Sequence, residues 1–278
     1  MRLSHNLSSL KAYQSYQKSL KTQSTALNNI STGNKINKAG DHPNKMAQSE
    51  RFNMQIKALN MASRNAQDGV SMLQAAESSM ESITSQLQRA RELIVQAGGT
   101  GSEEDLVAIN AELKQIAEGI DNAAKFNDFN GVNIIAQKGE TKPLKMPVGS
   151  DIGEEIEIPT YDFTAEGLGL MKDGNLTFEG GKIDESLGIL DSAIDKVVDG
   201  RSKCGAICNT FESKYEALNE ISTRIEGADS VISGADIAYE AMEYTRSSIL
   251  VDAGIAIIHQ SNRMPQDALR ILENVRSR

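Results

Sequence analysis

The longest regular pattern in the chain lies in residues 59–94, which read LNMASRNAQDGVSMLQAAESSMESITSQLQRARELI. Apolar residues recur there every seven positions, at Leu59, Ala66, Leu73, Met80, Leu87 and Ile94. A seven-residue repeat is typical of a helix that buries a narrow seam against other helices. The sequence therefore predicts one long helix over residues 45–97, which ends at the glycine-rich segment Gly98–Gly101.

Two further helices are predicted in the middle of the chain. The first covers residues 103–125, with Ser102 as its N-cap and acidic residues in its first turn. The second covers residues 184–230, where apolar positions alternate at spacings of three and four. Glu77 and Arg201 interrupt the seams and are expected at the edges of the bundle. Residues 136–180 separate these helices, and the alternation in Met146–Ile158 predicts a β-hairpin.

The two ends of the chain are predicted to form helices that carry apolar seams. The seam residues are Leu3, Leu7, Leu10, Leu20, Leu27 and Ile30 at the N-terminus, and Ile249, Leu250, Ala253, Ile257 and Met264 at the C-terminus. The C-terminal helix is predicted over residues 236–264, closed by Pro265. Because an isolated helix is marginal in water, each end needs a partner, and the two ends are expected to pair with each other. Their seams need more burial than one chain supplies, which predicts packing between subunits.

These elements predict a mainly α-helical fold: an elongated, antiparallel coiled-coil rod made from paired N- and C-terminal segments, with a small β-hairpin region in the middle. The composition agrees, because aromatic residues are only 4% of the chain and tryptophan is absent. Compact cores of this length normally use large aromatic side chains.

Charge and motif content exclude several classes of function. The net charge is −9 with scattered basic residues, which argues against nucleic acid as a partner, and no apolar stretch is long enough for membrane insertion. There is no phosphate-binding glycine loop, zinc-protease motif or nucleophile elbow, so no enzymatic activity and no catalytic, cofactor or metal site is predicted. Cys204 and Cys208 are predicted to fill a helical seam, with exchange to a neighbouring subunit as the alternative. The polar segment 1–6 predicts no cleaved secretory signal.

Short motifs along nearly the whole chain resemble those of bacterial flagellin, the subunit of the flagellar filament. They are NNISTGNKIN (28–37), RNAQDGVS (64–71), AAE (75–77), LQRARELIVQ (87–96), FNDFNG (126–131), VGSDIGEEIEI (148–158), LGL (168–170), ADIA (235–238), IL (249–250), AG (253–254), QSN (260–262) and PQ (265–266). Four features depart from the family pattern: the segment around Pro43, the two cysteines, the polar end 273–278, and Asp252 and His259, which replace residues that are commonly uncharged.

The resemblance implies a minimal flagellin with two domains. Residues 1–44 with 235–278 would form the inner domain D0, residues 45–234 would form D1, and the outer domains D2 and D3 would be absent. It implies a helical homopolymer outside the cell, reached through the flagellar export apparatus. Its other implied partners are a filament cap and a cytoplasmic flagellin chaperone that covers the C-terminal helix.

The resemblance also implies a recognition surface for the flagellin-sensing Toll-like receptor of a host. Carried over by motif, its candidate residues are Gln88, Arg89, Leu93 and Glu112. Two alternatives remain open for the whole chain: a hook–filament junction protein, which shares terminal helices of this kind, and a soluble secreted coiled-coil protein with a signalling or adhesive role.

Overall fold

A computed structural model describes residues 7–99, 102–137, 142–151, 153–172 and 174–276, with the backbone alone for residues 265–269 and 271–276. Within these ranges the protein is 74% helical, which confirms the predicted fold class. The five helices are α1 (Leu7–Thr32), α2 (Pro43–Gly98), α3 (Glu103–Lys125), α4 (Ile183–Ser233) and α5 (Ile237–Arg276). The chain divides into two compact units, residues 55–224 and the two terminal segments 1–54 and 225–278.

The core of the unit formed by residues 55–224 lies along the predicted heptad seam of α2. All six heptad residues from Leu59 to Ile94 are at most 4% exposed. Helix α4 runs antiparallel to α2, since Arg91 bonds Asp191 whereas Ser63, earlier in α2, bonds Asn219. Leu113 of α3 and Phe211 of α4 are fully buried in the same core. Burying such side chains stabilises the fold by about 1.5–3 kcal/mol each.

Two short antiparallel hairpins cover this helical core. The predicted hairpin is confirmed: β1 (Leu144–Pro147) pairs with β2 (Glu155–Ile158), and Met146 lies opposite Ile156. A second hairpin joins β3 (Met171–Lys172) to β4 (Asn175–Leu176). Alternate side chains of the first hairpin point to the core, so Ile158 is fully buried whereas Glu157 is exposed.

Two glycines inside long helices allow aromatic rings to approach the backbone. A Cβ atom added at Gly200 of α4 would lie 2.5 Å from Cζ of Phe163. A Cβ atom added at Gly69 of α2 would lie 2.8 Å from Cε1 of Phe211. Glycine in a helix costs about 0.5–1 kcal/mol relative to alanine, so here close packing offsets that cost.

The terminal unit contains α1 and α5, which pack against each other. The segment after α1 is held to the end of α4, because the Lys35 amide donates to the Ser233 carbonyl at 2.8 Å and the Ala235 amide donates to the Gly33 carbonyl at 2.9 Å. Gly33 lies at φ +71°, where glycine is favoured. Pro43 is the first residue of α2, a position that suits its fixed φ and missing N–H.

One local prediction needs correction, and a second is confirmed in its position alone. Helix α5 does not end at Pro265 but continues to Arg276, because a proline removes one backbone hydrogen bond and can be carried inside a long helix. Ser102 occupies the N-cap position of α3, but its side chain makes no capping hydrogen bond. Its carbonyl accepts the first backbone bond of the helix, from the Leu106 amide at 3.3 Å.

Candidate assembly and recognition surfaces

The surface that α1 and α5 bury against each other consists mainly of small and polar residues. Ala26, Ser247 and Ser261 are buried, although none of them belongs to the predicted apolar seams. Ser9 Oγ donates to Asn262 Oδ1 at 3.1 Å, and Asn29 Nδ2 donates to Glu240 Oε1 at 3.1 Å. Small residues let the two helices pack closely, since a Cβ atom built at Gly254 would lie 3.8 Å from Cα of Tyr16.

The large aliphatic side chains of both helices therefore remain on the outside of the pair. The predicted seam residues Leu7, Leu10, Leu20, Leu27, Ile249, Leu250, Ile257 and Met264 are 44–68% exposed. Ala253 is also exposed, Ile30 is half-buried, and Leu3 lies outside the described residues. The expected pairing of the chain ends is confirmed, but the pairing leaves most of these seam residues uncovered.

This arrangement could have been found in the sequence only by following the small residues. Ser9, Ala12, Tyr16, Ser19 and Ala26 are among the half-buried or buried positions of α1, at spacings of three, four and seven. A hydrophobicity pattern draws attention to the leucines instead, because their apolar signal is stronger. The sequence thus shows two faces on α1 but does not show which of them meets α5.

The predicted recognition residues lie on α2 and α3. Arg89 of α2 donates to Glu112 Oε1 of α3 through Nη2 at 3.0 Å and Nε at 3.2 Å. Its third contact is Glu92 Oε2 of α2, at 3.4 Å from Nη1. The hydrogen bond to Glu112 is the main cause that raises the pKa of Arg89. Arg89 and Glu92 are exposed, so this ion-pair cluster can be reached from outside.

The structure places Leu93 in the core, beneath this surface. Leu93 is only 2% exposed and belongs to the hydrophobic core, so in the free chain its side chain does not contribute to the exposed surface around Arg89. Val95 is 57% exposed and lines an open groove with Gln88, Arg91 and Glu92. The sequence offers one clue to Val95, namely that it directly follows the buried pair Leu93 and Ile94.

Both cysteines lie on the inner side of α4 and are free thiols. Cys204 is 1% exposed in the core, and burial is the main cause that raises its pKa to about 11. Cys208 is half-buried beside the same core, and its pKa is also raised, first by burial. The cysteines therefore contribute apolar packing.

Glu77 and Arg201 form a partly exposed ion pair across α2 and α4, with Oε1 and Nη2 3.9 Å apart.

Within the residues that the structure describes, no cluster of three or more acidic, histidine or cysteine side chains could hold a metal ion. No helix in those same segments is long and apolar enough to cross a membrane. The two surfaces on which side chains of the predicted sites are exposed are the aliphatic surfaces of α1 and α5 and the charged surface around Arg89.

Comparison with known proteins gives matches along both halves of the chain. Residues 3–140 match the family model for the bacterial flagellin N-terminal helical region, and residues 187–272 match the model for the C-terminal helical region. A flagellin of Halalkalibacterium halodurans is 34% identical over 275 residues, covering 98% of this chain and all of the relative. The flagellar filament 33 kDa core protein of Treponema phagedenis is 33% identical with the same coverage.

A solved structure of a putative flagellar hook-associated protein from Vibrio parahaemolyticus shares the fold. Its TM-score is 0.58 over 69% of this chain and 99% of that chain, at 14% sequence identity. Identity this low supports the fold alone and does not favour the junction-protein alternative. The full-length sequence matches and both family models decide the assignment: the chain belongs to the bacterial flagellin family, the structural subunits of the flagellar filament.

Proposed function

We propose that this chain polymerises outside the cell into the flagellar filament through the outer faces of α1 and α5. The observation that carries this proposal is the uncovered set of leucine and isoleucine side chains on the terminal helix pair. Contiguous apolar surface of this kind marks a protein-interaction site in soluble proteins. Neighbouring copies would cover it and gain about 1.5–3 kcal/mol for each side chain that becomes fully buried.

The domain assignment and the other partners belong to the same proposal. Residues 1–44 with 235–278 act as D0 and residues 45–234 as D1, in keeping with a chain whose two terminal segments form a unit of their own. The export apparatus, a chaperone on α5 and a filament cap are the partners of the unpolymerised chain. An apolar helix surface such as the one on α5 needs protection before assembly, which favours a chaperone there.

Seeded elongation tests the proposal directly. Purified monomer added to sheared filament fragments should lengthen them under electron microscopy, whereas a junction protein or a soluble ligand should leave them unchanged. The double variant Ile249→Ser/Ile257→Ser should elongate poorly, since both side chains are more than half exposed on α5. Ile221→Ser on α4, which changes a 45% exposed side chain, is the matched control. Equal elongation by both variants would place the assembly surface elsewhere.

A second role concerns the unpolymerised subunit, which a host flagellin-sensing Toll-like receptor would recognise around Arg89. The exposed guanidinium of Arg89 presents a planar set of donors, and Gln88 and Glu112 lie beside it. Arg89→Ala should lower receptor signalling in reporter cells. The matched control is Arg224→Ala, which removes an exposed arginine in a local ion pair on α4. Receptor signalling that is unchanged by Arg89→Ala would remove this surface from the proposal.

A further inference from the structure

Helices α1 and α5 pair through their less apolar faces. Hydrophobic burial alone favours the opposite choice, because the leucine and isoleucine side chains of the two helices would bury more apolar area if they met each other. The structure instead covers the small residues and Asn29, which is only 7% exposed. Close packing of the small residues is one reason for this choice, and a buried polar contact beside them is a second.

Asn29 joins α1 to α5 within a cluster of three polar side chains. Its Nδ2 donates to Glu240 Oε1 at 3.1 Å, and its Oδ1 accepts from Asn37 Nδ2 at 3.1 Å. Asn37 is itself held in place, since the same Nδ2 donates to the Asn34 carbonyl at 2.8 Å. The carboxamide of Asn29 is thus bonded through both of its polar atoms, which directs its amino group to Glu240. Among the described residues, the Glu240 carboxylate has no other hydrogen-bond or ion-pair partner.

The cluster lies at the end of the helix pair where the chain segments next to both helices are already joined. The Ala235 amide donates to the Gly33 carbonyl at 2.9 Å, which holds the end of α1 near the start of α5. This backbone bond brings the helices together but does not fix which side of each helix faces the other. The bond from Asn29 to Glu240 does so, because it forms only when these two sides meet. An α-helix is hydrogen-bonded along its whole length, so a rotation fixed at one end determines the face that is presented further along.

We infer that the Asn29–Glu240 hydrogen bond, oriented by Asn37, selects the faces through which α1 and α5 pair and thereby keeps the aliphatic surfaces free for neighbouring copies. Only the second half of this inference rests on the proposed function. Without the Asn29 carboxamide, the Glu240 carboxylate would be half-buried with no partner, which is less favourable than exposing it to water. Turning the helices until their leucines and isoleucines meet would release Glu240 to solvent and cover the aliphatic surfaces within the chain. A chain paired in that way would have little apolar surface left for assembly.

Two pairs of introduced cysteines report which faces meet within one chain. A Cβ atom built at Gly254 lies 3.5 Å from Cβ of Tyr16, a separation that a disulfide spans. Tyr16→Cys/Gly254→Cys is therefore the small-face reporter, which closes in the observed pairing. Four residues further along α1 and four residues back along α5 lie Leu20 and Leu250, which are level in the antiparallel pair but 44% and 49% exposed. Leu20→Cys/Leu250→Cys is therefore the aliphatic-face reporter, which closes only if the aliphatic faces meet.

The test compares Asn29→Leu with Asn28→Leu, the same change at the exposed neighbouring position. Each reporter is placed in a chain whose native Cys204 and Cys208 are replaced by alanine, and its closure is followed in dilute monomer on non-reducing gels. With Asn29 present, and also in Asn28→Leu, the small-face reporter should close and the aliphatic-face reporter should stay open. Asn29→Leu should slow the first closure and speed the second, each by about tenfold or more, the factor that corresponds to one hydrogen bond to a charged group.

The outcomes separate this inference from the proposed function. If Asn29→Leu slows the small-face reporter without speeding the aliphatic-face reporter, the cluster only stabilises the contact and the inference is overturned. Equal closure rates in Asn29→Leu and Asn28→Leu overturn it as well. With its native cysteines, Asn29→Leu should also elongate wild-type filament seeds about tenfold more slowly than wild-type monomer does, because its aliphatic surfaces are covered. Reversed reporters with unchanged elongation would uphold the selection of faces and contradict the proposed assembly surface.

Discussion

Replacement of Gly200 by alanine should destabilise the core of residues 55–224. The added Cβ atom would lie 2.5 Å from Cζ and 3.0 Å from Cε2 of Phe163, a ring that is only 4% exposed. The ring also stacks on Tyr161, with centroids 5.0 Å apart, so it has little room to move away. Overpacking of this kind costs about 1–3 kcal/mol, and the higher helix propensity of alanine returns up to about 1 kcal/mol. The expected net loss is about 1–2 kcal/mol.

Gly205 provides the control on the same helix. Apart from the local backbone of the helix and the two neighbouring residues, no atom lies within 4 Å of a Cβ atom built there, so Gly205→Ala should stabilise the helix by about 0.5–1 kcal/mol. Urea unfolding of both variants, followed by circular dichroism at 222 nm, gives the two free-energy changes if the slopes of the transitions match wild type. The two substitutions are chemically identical, so their opposite signs would isolate the contact with Phe163.

A double-mutant cycle makes the reasoning refutable. In a Phe163→Ala background the obstacle is gone, and Gly200→Ala should become neutral or stabilising. If Gly200→Ala costs the same with and without the ring, or stabilises wild type as much as Gly205→Ala does, the close approach of Phe163 does not explain the glycine.

Three further predictions concern thiols, alkaline stability and exchange. A thiol reagent at pH 8 should label Cys208 before Cys204, since Cys204 is buried with a pKa near 11, and Cys208→Ser should remove the fast phase. The pKa of Cys204 in the folded chain lies above its ordinary value of 9.0, so the free energy of unfolding should fall as the pH rises from about 9 to 11. The fall should be smaller in the Cys204→Ala variant, and equal pH profiles of the two proteins would contradict this prediction. In the monomer, the backbone amides of residues 7–32 should exchange their hydrogens faster than those of residues 73–94, because only two side chains of α1 are buried. Strong protection of residues 7–32 from hydrogen exchange would refute this prediction.

The helical core could be predicted from the sequence in detail. The heptad positions of α2 are all buried, and the hairpin lies where alternation placed it. The observed helices run over 43–98 and 183–233, slightly beyond the predicted 45–97 and 184–230, because pattern carries little information at helix ends. The spacing predicted these helices correctly because large apolar residues at regular helical spacing form one face, and that face is stable only when it is buried.

The candidate surfaces were less accessible to sequence reasoning. The motif around Arg89 located an exposed charged cluster, but it did not show that Leu93 faces the core, because motif similarity carries no side-chain direction. The link from Arg89 to Glu112 joins residues 23 positions apart and exists only once α2 and α3 are packed.

By itself the sequence determined the helical class, the hairpin, the seams of α2 to α4, and the apolar stripes at the chain ends. Only the tertiary structure decided which face of each terminal helix is used within the chain. Helices lined by alanine, serine and glycine can approach closely and hydrogen-bond across their contact, so α1 and α5 pair through their small residues. Their leucines and isoleucines are thereby left on the outside, where a neighbouring chain can cover them.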